Sequence, residues 1–133
     1  MNRKLASIAA IACAAFTAGC GGTNPAANKQ TMVAFSQANN AEPYRAAQNG
    51  LMSKLFGQSP DVQLVISDAQ QDNSKQVAQV ETFIRQKPAL LIIAPNERAA
   101  LTAVMGDAVA AGIPVICLER DILQPNYTSY IHS

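Results

Sequence analysis

From Thr31 onward, short apolar runs, broken only by Gln63 in the second, alternate with longer segments in which apolar residues recur every three or four positions. The runs at 32–35 (MVAF), 62–66, 90–93 (LLII) and 115–118 (VICL) are too short for helices and carry no polar alternation, which predicts strands buried on both faces. Between them, 43–56 places Ala47, Leu51 and Leu55 at i, i+4, i+8. Segment 74–86 places Val77, Val80 and Ile84 at i, i+3, i+7, and the segment from about 97 to 111 gathers Leu101, Val104, Met105 and Ala108 on one face. These three segments are predicted helices. Gly57 stops the first, Asp72 and Ser74 are good caps for the second, and Gly112 with Pro114 ends the third. A fifth strand is predicted within 127–131. Strands alternating with helices predict a doubly wound α/β layer, a parallel sheet flanked by helices on both faces. No sequence repeat of a solenoid type accompanies the alternation.

The first twenty residues read as an export signal rather than as part of the fold. Asn2-Arg3-Lys4 is a charged start, and residues 5–18 are uncharged but shorter than the roughly 20 apolar residues a spanning helix needs. The stretch ends Thr17-Ala18-Gly19-Cys20, which resembles the lipobox of bacterial lipoproteins, with Thr17 where Leu is usual. The resemblance implies a signal peptide over 1–19, lipid attachment at Cys20 and a periplasmic or cell-surface protein held to the membrane. The plainer alternative is a Cys that follows an ordinary A-x-A-like cleavage site. Residues 20–30, small and polar, then form a flexible tether, and 31–133 is the folded body. Cys13 leaves with the signal. Cys117 becomes the one unmodified thiol in an oxidising compartment, which suits a buried core residue. A nucleophilic role lacks a nearby base, the sole histidine being His132.

Composition narrows the function classes. With 49% hydrophobic and 14% charged residues the chain is an ordinary globular one. Its net charge of +1 falls to −1 once Arg3 and Lys4 are removed, and aromatics are 5% with no Trp. Neither a basic surface nor a series of stacking platforms is present, so no nucleic-acid partner is expected. The three cysteines lack the paired spacing of a zinc site. The glycine-rich phosphate loops, H-E-x-x-H and G-x-S-x-G are all absent, so neither a cofactor nor an enzyme is expected. Glu97 and Glu119 are paired carboxylates with no nucleophile positioned beside them.

In an open parallel sheet, ligands bind beyond the carboxyl ends of the strands. The segments there are Ser36-Gln37-Ala38-Asn39-Asn40-Ala41-Glu42-Pro43-Tyr44-Arg45, Ser67 to Asp72, Ala94-Pro95-Asn96-Glu97 and Glu119-Arg120-Asp121. Hydroxyl, amide, carboxylate and guanidinium groups around an aromatic ring are what a polyol needs, because each hydroxyl both donates and accepts. Ser36, Asn39 and Asn40 are equally common turn and cap formers. Asp68, Asp72 and Asn96 share that ambiguity, and Asp72 reads as a cap. Arg45 sits in the first turn of a helix, where its charge opposes the helix dipole and better suits a ligand. Glu119 and Arg120 have the plain alternative of pairing with each other.

These residues resemble the periplasmic sugar-binding proteins of ribose- and galactofuranose-binding type, which serve ATP-driven importers. The resemblance covers 31–133 and rests on VAFSQANNAEPYRAA, SDAQQDNSKQVAQVETFI, LLIIAPNERAAL and AGIPVICLERDI taken together. It implies the N-terminal lobe of a type I periplasmic binding protein fold, with a monosaccharide ligand and a non-catalytic role. Ligand contacts would fall on Ser36, Asn40, Glu42, Tyr44 and Arg45 after the first strand, and on Glu119 and Arg120 after the fourth. Gln37 and Asn96 join them by their places at strand ends. The family usually has Asp at Glu119 and commonly Trp or Phe at Tyr44, which bears on the identity of the sugar. The implied partners are an ABC permease in the inner membrane, and the membrane itself through the N-terminal lipid, with the protein a monomer. Such proteins close two lobes on the ligand, and the chain reads as one lobe, a fragment expected to bind sugar weakly or not at all by itself. The alternative is a module presenting a sugar or an autoinducer-type ligand to a membrane sensor. Repressor-type regulators share the lobe but carry a helix-turn-helix where this chain has its signal and tether.

Overall fold

A computed structural model describes residues 30–132 of the chain. The expected signal peptide with Cys13, the lipid attachment at Cys20 and all but the last residue of the tether lie outside the described residues. The elements run β1 (Thr31–Gln37), α1 (Pro43–Phe56), β2 (Val62–Asp68), α2 (Asn73–Gln86), β3 (Leu90–Ile93), α3 (Arg98–Ala110), β4 (Val115–Leu118) and β5 (Ser129–Ile131). The five strands form one parallel sheet in the order β2-β1-β3-β4-β5. This is the α/β class that the alternation predicts. β1 and β2 each run two residues beyond the apolar stretch, to Gln37 and Asp68, because Ser36 and Gln37 pair in register with Ser67 and Asp68.

The chain winds one way from β1 to β2 and the other way from β2 through β3 to β4. Right-handed crossovers then require α1 on one face and α2 with α3 on the other. The core divides accordingly. On one face Ala34, Leu91, Ile93, Val115 and Cys117 pack with Val80 and Phe83 of α2 and Leu101, Val104, Met105 and Ala108 of α3. On the other, Val33, Phe35, Ile92 and Ala94 pack with Met52 and Phe56 of α1. Neighbouring residues of one strand, such as Val33, Ala34 and Phe35, thus serve opposite faces, the two-residue period of an extended chain.

The ends of the helices follow from local chemistry. Asp72 caps α2 by accepting from the Lys75 backbone N–H at 3.0 Å. Beyond α3, Gly112 takes φ +78°, which lets its own N–H reach the Val109 carbonyl and that of Ile113 reach Ala108. These two reverse bonds satisfy carbonyls that the helix leaves open.

In α1 the stripe Ala47, Leu51, Leu55 faces outward, Leu51 being 57% and Leu55 53% exposed. The face turned to the sheet carries Arg45, then half-buried Gln48 and Asn49, then Met52 and Phe56. Periodicity identified the helix but could not orient it, because the buried face is polar in its first half.

Cys117 is buried, and its thiol donates to the Arg120 carbonyl at 3.3 Å. Burial first, and the Asp121 carboxylate second, push the thiol up from 9.0 to about 11. The folded chain therefore holds this proton where the unfolded chain would already have released it. Stability from this source is intact below pH 9 and is lost as pH rises towards 11. Urea unfolding of wild type and Cys117→Ala across that interval should show a steeper loss in the wild type. Parallel curves would remove the thiol as the cause.

Candidate functional site

The carboxyl end of β1 carries two polar residues into the interior, Ser36 and Gln37, both fully buried. Buried amides must find partners, and Gln37 finds several. Its Oε1 accepts from Arg45 Nη1 at 2.6 Å and from the Ala38 backbone N–H at 3.1 Å. Its Nε2 donates to Gln48 Oε1 at 2.8 Å and to Asn49 Oδ1 at 3.1 Å.

The loop from β1 into α1 is held by Asn39, whose Oδ1 accepts from the backbone N–H groups of Ala41 and Glu42 at 3.1 and 3.4 Å. This is the local turn that asparagine favours. Glu42 stands at the N-cap, yet its side chain makes no cap bond. Its carboxylate instead accepts from Arg45 Nε at 3.2 Å. Arg45 is only 9% exposed, so its charge is compensated by more than that one bond. Its Nη2 lies 2.8 Å from Glu119 Oε2, an ion pair joining the first turn of α1 to the end of β4.

Glu119 reaches that position from an unusual backbone. It has φ +64°, in the left-handed region that a non-glycine residue enters at a cost of order 1–3 kcal/mol. The Arg120 N–H closes a three-residue turn onto the Leu118 carbonyl at 2.7 Å. β5 holds the turn on both sides: Glu119 donates its N–H to the Ile131 carbonyl at 2.8 Å, and its own carbonyl accepts from the Tyr130 hydroxyl at 3.0 Å. Gln48 Nε2 donates to Glu119 Oε1 at 3.2 Å, so each carboxylate oxygen has one protein donor.

The candidate residues thus fall into separate groups. Asn40, Glu42, Arg45 and Glu119 share one edge with Gln37, and Asn40 Oδ1 accepts from Asn49 Nδ2 at 3.1 Å. Tyr44 lies beside them, 56% exposed. Gln37 lies beneath that edge and holds it from behind, whereas Ser36, next in the strand, turns to the other face of the sheet. On the opposite face Gln76 of α2 is fully buried, donating to Ser36 Oγ at 3.3 Å and to the Ala94 carbonyl at 2.9 Å while its Oε1 accepts from the Asn96 N–H at 2.8 Å. Asn96 belongs to this second knot, its Nδ2 donating to Asn73 Oδ1 at 2.6 Å and the Gln71 carbonyl at 3.1 Å. Glu119 and Arg120 take different partners rather than each other, since Arg120 turns to Glu97 at 3.5 Å on the surface. An open hollow of about 480 Å³ beside β2 is lined by Asn39, Asn40, Ala41, Asp68, Gln70 and Gln71. It adjoins the ion-paired edge through Asn40.

Gln48, Asn49 and Gln76 are the site residues that sequence reasoning missed. For Gln76 a signal existed: it lies at i relative to Val80 and Phe83 at i+4 and i+7, a polar residue on an apolar helix face.

Chemically, the edge offers hydrogen bonding. A guanidinium carries five N–H donors, of which Glu42, Gln37 and Glu119 take three, and a carboxylate has about four acceptor positions. The pair can therefore still donate and accept at neighbouring atoms, as adjacent hydroxyls require. Among the described residues no group of three or more His, Cys, Asp or Glu could hold a metal ion.

The profile of the periplasmic binding protein domain matches residues 33–133. The chain is 33% identical over 72 residues to the ribose import binding protein of Bacillus subtilis (strain 168), covering 54% of this chain and 24% of that protein. It is 32% identical over 90 residues to the galactofuranose-binding protein of Escherichia coli (strain K12), covering 68% of this chain and 28% of that protein. Among solved structures, the fructose-binding periplasmic domain of a hybrid two-component system superposes with a TM-score of 0.72 at 33% identity, over 76% of this chain and 33% of the other. The chain thus spans about a quarter of the length of the curated relatives it matches.

Removing one partner of a largely buried ion pair strands the other. Arg45→Met is expected to cost about 3–5 kcal/mol in urea unfolding. Adding Glu119→Gln to the same chain should restore part of the loss. Simple additivity of the two changes would show that the side chains do not depend on each other.

Proposed function

This chain belongs to the periplasmic binding protein domain family, and from that premise we propose that its carboxyl edge captures a monosaccharide or related polyol for an ATP-driven importer, without catalysis. The observation that carries the reading is the Arg45–Glu119 pair, covered enough to be rigid yet retaining unused donor and acceptor positions side by side. Glu42 and Asn40 extend those positions along the edge, and Tyr44 offers an exposed ring for the apolar face of a sugar. The curated relatives, named for ribose and galactofuranose, support the ligand class.

A single open edge covers one side of a ligand, whereas binding sites bury most of a ligand's surface. The lobe therefore acts as one wall of a cleft, and its own affinity is weak. Saturation-transfer NMR of the 133-residue chain with D-ribose, D-fructose and myo-inositol should show millimolar binding of at least one, lost in Arg45→Ala. Absence of transfer from all three would overturn the reading.

The amino-terminal segment completes the proposal. Residues 1–19 export the chain, Cys20 receives a lipid, and residues up to 30 tether the lobe to the membrane near its permease. Metabolic labelling with a radioactive fatty acid should mark the wild type and fail to mark Cys20→Ala. Equal labelling of both would remove the anchor. A second reading has its own support in the solved fructose-binding domain, which belongs to a two-component system: the lobe would present its ligand to a membrane sensor. Neighbouring genes separate the two, a permease and ATPase favouring transport and a histidine kinase favouring sensing.

A further inference from the structure

Four side chains at the candidate site close into a ring. Arg45 Nη1 donates to Gln37 Oε1 at 2.6 Å, Gln37 Nε2 to Gln48 Oε1 at 2.8 Å, and Gln48 Nε2 to Glu119 Oε1 at 3.2 Å. Arg45 Nη2, at 2.8 Å from Glu119 Oε2, completes it. The ring joins β1, two turns of α1 and the turn after β4, elements far apart in the chain.

Its direction is fixed by its charged members. A guanidinium only donates and a carboxylate only accepts, so the amides between them must each accept on the Arg45 side and donate on the Glu119 side. Flipping either glutamine would set two donors or two acceptors against each other at both of its ends. The Ala38 backbone N–H independently fixes Gln37, because it too needs the Gln37 oxygen.

We propose that Gln37 and Gln48 are positioning residues, which lock the Arg45–Glu119 pair into its ligand-facing geometry before any ligand arrives. The inference rests on the polyol-binding reading for its functional consequence, but the lock itself is a property of the free protein. Two long charged side chains would otherwise each have rotamer freedom to lose on binding. Glu119 in particular projects from a three-residue turn at φ +64° and has three rotatable bonds of its own. Neutral amides can hold it without adding charge to the site, and they leave a hydrogen-bonding position open on each carboxylate oxygen.

The test uses the full chain and two measurements. In the wild type, NMR should resolve the Arg45 side-chain Nη protons individually, because bonds to Gln37 and Glu119 stop the guanidinium rotating. In Gln48→Leu the Glu119 carboxylate loses its second donor, so the Arg45 Nη2 signals should broaden, and the Gln37 side-chain amide should shift. Gln48→Glu, nearly identical in shape but placing a carboxylate against Glu119, should do the same and serves if the leucine variant fails to fold. The second measurement is affinity for whichever of D-ribose, D-fructose or myo-inositol binds the wild type, expected to fall about tenfold in either variant. Lys54→Ala, exposed on the same helix and outside the ring, should change neither readout. Unchanged Arg45 signals in both Gln48 variants would overturn the lock, as would an unchanged affinity. If the wild type shows resolved Arg45 signals that broaden in the variants, yet binds none of the three polyols, the lock is supported and the ligand reading is what fails.

Discussion

A guanidinium that is only 9% exposed must be surrounded by acceptors, and in this chain the acceptors around Arg45 come from three places: Gln37 at the end of β1, Glu42 in the loop, and Glu119 beyond β4. Satisfying that one group ties together segments more than 70 positions apart. It explains why the N-cap residue of α1 spends its carboxylate on Arg45 rather than on the helix end. It also accounts for the value of the left-handed turn at Glu119, since the ion pair and β5 together offset its backbone strain.

The other face of the sheet solves a similar problem with no charge at all. Gln76, fully buried on α2, bridges Ser36 of β1, the Ala94 carbonyl after β3 and the Asn96 backbone N–H. Both faces of the carboxyl edge are therefore braced by polar knots, one ionic and one of amides, lying directly over an apolar core. Such knots are costly if half-satisfied and rigidifying when complete. The edge has fixed positions while its outer atoms still offer hydrogen bonds, which is the combination that recognition of a small polar ligand needs.

Legibility differed sharply between core and edge. The strands and α3 could be read because their burial is apolar; Leu101, Val104, Met105 and Ala108, which the period gathers on one face, are the buried residues of α3. α1 could be found but not oriented, since its sheet-facing side begins Arg45, Gln48, Asn49 and only then becomes apolar. Hydrophobic periodicity sees no interior in a polar face. Glu119 could be selected from its place beyond a strand end and Arg45 from its place in the first turn of a helix, whereas their mutual bond could not, because nothing local links them.

The sequence by itself determined the alternation of strands and helices and the parallel sheet that follows, and it set which residues would crowd the carboxyl edge. These depend on periods of two and 3.6 residues and on caps such as Asp72 and Gly112, all short-range. Only the tertiary structure decided that Glu119 would pair with Arg45 and leave Arg120 to Glu97, that Gln76 would be an internal brace, and that two glutamines would link the ion pair into a ring. Those outcomes depend on the strand order, which brings the end of β1 to within one strand of β4. The reach of a side chain across that gap is a distance in space, and no spacing along the chain encodes it.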